Sequence, residues 1–133
     1  MKLNSDKILY WFELANYDME TAHAMLKTKR YLYVGFMCHQ VIEKSLKAYH
    51  WYNKRTEPPF THNLLLLSKK SGLNHLMSTE QMDLLNILMP LNIKTRYPDD
   101  KEILLKSLTY SRCRSIVKKT EELKKWIEKQ VEL

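Results

Sequence analysis

Turn-forming residues are scarce in this chain: of 133 residues only 2 are glycine and 4 are proline. A β-sandwich or barrel needs a tight turn every few residues, so this scarcity excludes both and suits a few long helices joined by short loops. Long apolar runs are also missing. Runs such as Leu64 to Leu67 and Ile87 to Leu91 fall far short of the about 18 residues that span a bilayer. At the start of the chain, Lys2, Asn4, Ser5, Asp6 and Lys7 occupy the place of an apolar signal region, so a cytoplasmic protein without membrane association is expected. The two cysteines, Cys38 and Cys113, belong to no CxxC or zinc-type spacing and are expected as reduced thiols. The glycine-rich phosphate loops GxGxxG and GxxxxGK[ST] are absent, as are HExxH and Gly-x-Ser-x-Gly. Five histidines (His23, His39, His50, His62 and His75) match no standard ligand pattern. His39 and His50 lie about 16 Å apart along one helix, too far for one ion. Neither metal nor cofactor is expected.

What is present is apolar periodicity and positive charge. Hydrophobic residues make up 44% of the chain, enough for a packed core, and the length fits a single domain over residues 1–133. Ile8, Trp11, Phe12, Ala15, Met19, Ala22 and Leu26 recur at helical steps and predict a first helix from Ser5 to Lys29, capped by Asn4 or Ser5. A second helix, Leu32 to Asn53, carries Val34, Met37, Cys38, Val41, Ile42, Ser45, Ala48, Tyr49 and Tyr52 on one face. Opposite lie His39, Gln40, Glu43, Lys47 and His50. Pro58 and Pro59 make residues 54–61 a loop. A short helix follows from Asn63 to Lys70, stopped by Gly72 in a left-handed conformation. Ser78 and Gln81 read as a capping box opening a fourth helix to Met89, which Pro90 breaks or kinks. The last helix is expected from Glu102 to Lys129, with Leu105, Leu108, Ile116, Leu123 and Ile127 inward. The fold class is therefore all-α, an up-down bundle of four to five helices.

The net charge of +7 favours anions, with nucleotides, RNA and acidic protein surfaces all candidates, beside a plain basic solvated surface. The ladder His39, Gln40, Glu43 and Lys47 has two readings. It is a solvated face with a Glu43–Lys47 pair worth about 0.3–0.5 kcal/mol, or a face covered by a neighbouring helix or subunit that leaves a polar pocket. Thr95-Arg96-Tyr97-Pro98 combines a guanidinium suited to phosphate, an aromatic that can stack on a base, and a turn-fixing proline. Equally, Arg96 could satisfy helix carbonyls while Tyr97 packs on the bundle. Arg112 falls on the inward stripe of the last helix, where it calls for an anionic partner such as Asp18 or Glu43, or for a stem that snorkels to water.

Four ordered segments together resemble the HEPN family, the "higher eukaryotes and prokaryotes nucleotide-binding" helical domains. They are Ala15-x-x-Asp18-x-x-x-Ala22, His39-Gln40-x-x-Glu43-Lys44-x-Leu46-Lys47-Ala48, Pro59-x-Thr61-His62-Asn63-Leu64 and Thr95-Arg96-Tyr97-Pro98. Asn63 stands where many members have aspartate. The resemblance implies a helical bundle, commonly a homodimer, often accompanied by a minimal nucleotidyltransferase. Some members are metal-independent ribonucleases, including toxins of toxin–antitoxin pairs, and others bind without catalysis. The ribonuclease branch carries an arginine and, after four to six intervening residues, a histidine near the start of a late helix. Here no histidine follows His75, and only Arg55 and His62 have that spacing, across the Pro58-Pro59 loop. Ribonuclease chemistry needs a proton acceptor and a proton donor, roles that histidine fills near neutral pH. The expectation is therefore a binding domain with no catalytic residue. Lys47, His62, Arg96 and Tyr97 are its candidate nucleotide or anion ligands, and Asp18, His39, Gln40, Glu43 and Arg112 form a supporting polar network. A ribonuclease toxin using His62 and Arg96 is the alternative, followed by a helical adaptor using Trp51, Tyr52 and Phe60.

Overall fold

The computed structural model describes residues 2–93 and 97–132. Among these residues there are six α-helices and no strand: α1 (Lys2–Lys27), α2 (Tyr31–Lys54), α3 (Leu64–Ser71), α4 (Thr79–Leu88), α5 (Pro98–Ser107) and α6 (Tyr110–Lys129), with single 3-10 turns at Leu73–His75 and Met89–Leu91. None of the described helices is long and apolar enough to cross a membrane.

The α1 stripe is inward as its period requires: Ile8, Phe12, Ala15, Met19 and Ala22 are buried. The helix starts at Lys2, so Asn4 and Ser5 lie within it and do not cap it. The helix α2 sits at the centre and touches each of the other five. It is therefore buried on nearly every side from Cys38 to His50, where only Lys44 is partly exposed. Its apolar members Val34, Cys38, Val41, Ile42 and Leu46 join Leu64, Leu67, Leu73, Leu85, Leu88 and Ile127 in one core. Each such side chain contributes about 1.5–3 kcal/mol by leaving water.

Local chemistry sets the helix ends. Asn63 Oδ1 accepts from Leu66 N at 3.0 Å and caps α3. Ser78 and Gln81 form the reciprocal capping box of α4. Gly72 follows α3 at φ 84°, as its position after the helix required. Pro90 ends the α-helical run at Leu88 and turns it into the 3-10 segment. The expected single helix from Glu102 to Lys129 is instead two. The buried stripe of α6 is Cys113, Ile116, Val117, Thr120, Leu123 and Ile127. Extended backward, the stripe meets the polar Thr109, which caps a new helix instead of carrying the buried face on. Thr109 turns its hydroxyl to Arg112 N at 3.2 Å and caps α6. Leu108 at the break is buried, whereas Leu105, expected inward, is exposed on α5.

Of the left-handed positions that follow helices, at Lys29, Arg55 and Gly72, the last two have opposite character. Gly72 can hold φ 84° without strain, and a Cβ there would stand 3.0 Å from Asn53 Nδ2. Arg55, at φ 57°, closes α2 with its amide donating to Trp51 O, a conformation that costs a residue with a Cβ about 1 kcal/mol. Arg55→Gly is expected to raise the unfolding free energy by about 1 kcal/mol and Gly72→Ala to lower it by about 1–2 kcal/mol, read from urea denaturation midpoints at constant m-value.

Candidate functional site

Midway along α2, Glu43 is buried at 3% exposure. A carboxylate there must be charge-matched and hydrogen-bonded to remain ionised. One turn on, Lys47 Nζ donates to Glu43 Oε2 at 3.0 Å, and His62 Nδ1 donates to Glu43 Oε1 at 2.8 Å from the loop before α3. Lys47 Nζ also lies 5.3 Å from the centroid of the Trp11 ring, so α1 covers the ammonium with an aromatic face. The loop is held in place to do this. Pro58 and Pro59 restrict it on one side, Thr61 N donates to Pro59 O at 2.9 Å, and Thr61 Oγ1 accepts from Asn63 N at 3.1 Å. The Asn63 cap then fixes the chain immediately after His62.

His39 locks the same loop from below. It donates from Nε2 to the His62 carbonyl at 3.1 Å, while Gln40 Nε2 approaches its Nδ1 at 3.4 Å. The first contact requires the Nε2–H tautomer, and the second suits an unprotonated Nδ1. Burial lowers the pKa of His39 below its ordinary value, outweighing the opposing pull of Glu43, so the ring is held neutral. His62 differs in exposure: its side chain is about half exposed, and among the described residues no side chain bonds its Nε2. The cluster thus presents one anchored imidazole edge at the surface of a buried, charge-balanced pair.

The sequence ladder of His39, Gln40, Glu43, Lys47 and His50 is therefore a covered face, not a solvated one, because α2 has neighbours all round. Lys47 is committed to Glu43 and Trp11, so its charge serves the cluster from within. Asp18 pairs with Lys44 across α1 and α2 and not with Arg112. Arg112 itself is exposed on α6, since the stripe of that helix, through Cys113, Ile116 and Val117, lies to one side of it. Tyr97 is 78% exposed at the start of α5, and among the described residues no hydrogen bond or ring contact joins it to the cluster. Arg96 lies outside the described residues. Two participants escape a reading of the sequence alone: Lys44, whose signal was an aspartate at the edge of an apolar stripe in need of a cation, and Trp11, which periodicity assigns simply to the core. His50, on the same helix, bonds Thr56 through Nε2 at 3.2 Å, and burial lowers its pKa as well.

Residues 8–130 match the HEPN domain family. The chain belongs to that family. No curated protein matches it. The HEPN bundle is similar to the crystal structure of TT1696 from Thermus thermophilus, with a TM-score of 0.80 covering 94% of this chain and 98% of that one at 19% sequence identity. At that identity the likeness establishes the fold and nothing finer. In this HEPN domain the family-like segments of α2 and the loop meet in the Glu43 cluster, and that of α1 joins α2 through the Asp18–Lys44 pair.

Two outcomes follow from the cluster. Glu43→Leu leaves Lys47 buried without its counter-charge and is expected to cost about 3–5 kcal/mol, whereas Glu43→Leu with Lys47→Met is expected to recover most of that loss; a urea double-mutant cycle measures both. Acid should destabilise the fold through His39 and His50. Both have folded-state pKa values below the ordinary 6.5, so the unfolded chain takes up protons first. Their stabilisation is complete above that value and is lost as pH falls below it. Urea midpoints measured from about pH 7.5 to about pH 5.5 should decline, with a shallower slope in His50→Gln; a flat profile in the wild type would contradict the assignment.

Proposed function

We propose that this HEPN domain is a non-catalytic binding module. It dimerises, associates with a nucleotidyltransferase partner, and takes a nucleotide or similar anion at the exposed edge of His62. The observation that carries the association is α5. This helix contributes no buried residue, and it exposes Tyr97, Ile103 at 69% and Leu105 to water. A ten-residue helix that fully buries no residue, sets the partly buried Leu104 against the core and turns large apolar side chains outward has the composition of an interface element. Asp99, Asp100 and Glu102 border it with negative charge on an otherwise basic protein, which sets its electrostatic preference apart from the rest of the surface.

The cluster favours binding over ribonuclease chemistry for a specific reason. Cleavage by proton transfer needs two groups that can give and take protons at one phosphodiester. His39 has both ring nitrogens engaged by His62 and Gln40 and is held neutral, which leaves His62 as the solvent-facing imidazole of the pair. One anchored imidazole can donate to a phosphate oxygen without completing an acid–base pair.

Co-expression with a minimal nucleotidyltransferase encoded beside the gene should yield a co-eluting complex that Ile103→Asp with Leu105→Asp disrupts while the helical circular-dichroism spectrum is retained. Calorimetric titration with ATP, GTP and AMP should show binding that His62→Ala weakens at least about tenfold. Growth arrest and RNA loss on induction, abolished by His62→Ala, would instead establish the toxin reading. Absence of both complex and nucleotide heat would refute the binding reading.

A further inference from the structure

The positive charge of the chain is not spread evenly. Between Glu20 and Glu43 there is no acidic residue, and that run holds Lys27, Lys29 and Arg30. Between Glu102 and Glu121 there is again none, and that run holds Lys106, Arg112, Arg114, Lys118 and Lys119. These eight cations exceed the whole net charge of +7, so the remainder of the chain is close to neutral. The fold brings the start of α6 against the α1–α2 turn, while Arg112 and Lys119 of the second run face another pocket, beside Leu84 and Ile87. Cys113 on α6 reaches the Tyr31 carbonyl at 3.9 Å, and the rings of Tyr31 and Tyr110 lie 6.4 Å apart. Between them opens a cleft of about 630 Å³ lined by His23, Leu26, Lys27, Lys29, Tyr31 and Tyr110.

The chemistry of this cleft is unlike that of the His62 cluster. His23 is paired with Glu121 at 3.0 Å, but Lys27 and Lys29 make no ion pair among the described residues. Tyr110 is half exposed and inclined 34° to Tyr31, giving a planar apolar surface beside unpaired ammonium groups. Helix electrostatics account for only part of the charge. Lys27 suits the negative end of α1, but Arg114, four residues after Tyr110 and so on its face of α6, has no acidic residue in the first turn of that helix to balance it.

From this convergence we infer that the α1–α2 turn and the start of α6 form a binding surface for single-stranded nucleic acid. Phosphates contact Lys27, Lys29, Arg30 and Arg114, and a base stacks on Tyr110. Unpaired cations alone would take any polyanion. The tyrosine platform within the same cleft selects a polyanion that carries planar rings, and bases free to splay out belong to single strands rather than duplexes. The site is independent of the nucleotide contact proposed at His62, which lies farther along α2.

The test is fluorescence anisotropy with labelled 12-mers of single-stranded RNA and single-stranded DNA, together with the RNA duplex and poly-glutamate. The chain should bind the single strands with an affinity that falls steeply with salt. Lys27→Glu with Lys29→Glu should weaken binding more than about tenfold, and Tyr110→Leu about tenfold. Lys69→Glu with Lys70→Glu, an equal change of charge on α3 at the far end of α2, should change it less than about threefold. All four lysines are exposed, so both pairs should keep the wild-type melting temperature. Tighter binding of RNA than DNA, or the reverse, identifies the natural strand within the inference. Equal loss from the two lysine pairs, equal affinity for duplex or poly-glutamate, or an unaffected Tyr110→Leu would overturn it. Loss of nucleotide binding in His62→Ala with unchanged oligonucleotide affinity would separate this site from the His62 reading.

Discussion

A single negative charge in the middle of α2 governs the arrangement around it. Glu43 is buried because α2 is the helix around which the others pack, and an ionised carboxylate in that position must gather donors from several elements. Lys47 supplies one from the next turn. His62 supplies another, which requires the loop after α2 to fold back over the helix and hold that shape. The paired prolines, the Thr61 contacts and the Asn63 cap all serve that return, and Asn63 then launches α3. Lys47 in its turn needs cover, which Trp11 provides from α1. The register of α1 on α2, the path of the loop and the start of α3 are thus linked through one carboxylate. Removing a single partner of such a set is costly because the remaining charges stay buried, while replacing the pair by apolar groups need not be.

Periodicity and caps are local, and what they determine was legible. The stripe of α1, the apolar face of α2, the Ser78–Gln81 capping box and the left-handed Gly72 all follow from residues within one or two turns of each other. The cluster was legible only in part. A helical projection assigns angles around one axis and marks a single inward face, so for a helix with neighbours on every side it leaves the polar face of Glu43 and Lys47 ambiguous. Arg112 shows the opposite error. Its angle places it near the stripe, yet Cys113 and Ile116 take the inward positions and leave the guanidinium in water. The break at Leu108 and Thr109 was hidden because both α5 and α6 contain aliphatic residues at plausible steps. Only the packing distinguishes the buried Leu108 from the exposed Leu105.

Family membership fixes the bundle more firmly than it fixes the chemistry. A shared fold does not by itself carry a function, so the site has to be argued on its own geometry. Here the decisive contrast is between two histidines on either side of one hydrogen bond. His39 is buried and its ring is fully engaged. His62 is tethered by the same contacts and reaches solvent. A pair arranged in this way anchors a loop and offers one polar edge.

The two ends of the late helical segment differ in a way that separates structural charge from functional charge. In α5, Asp99 and Asp100 occupy the first turn, where the helix dipole favours them. Those acids are explained by the helix they begin. In α6 the first turn carries Arg112 and no acid, against the same preference, and Arg114 follows within a turn. Charge that stabilises its own helix calls for no external partner. Charge that no acid of its own first turn balances, with the exposed Tyr110 and the unpaired Lys27 and Lys29 across the cleft, is lowered in energy by an anion from outside. The basic end of the bundle therefore has an electrostatic reason to bind that the acidic start of α5 lacks. The face of α5 offers exposed apolar side chains instead.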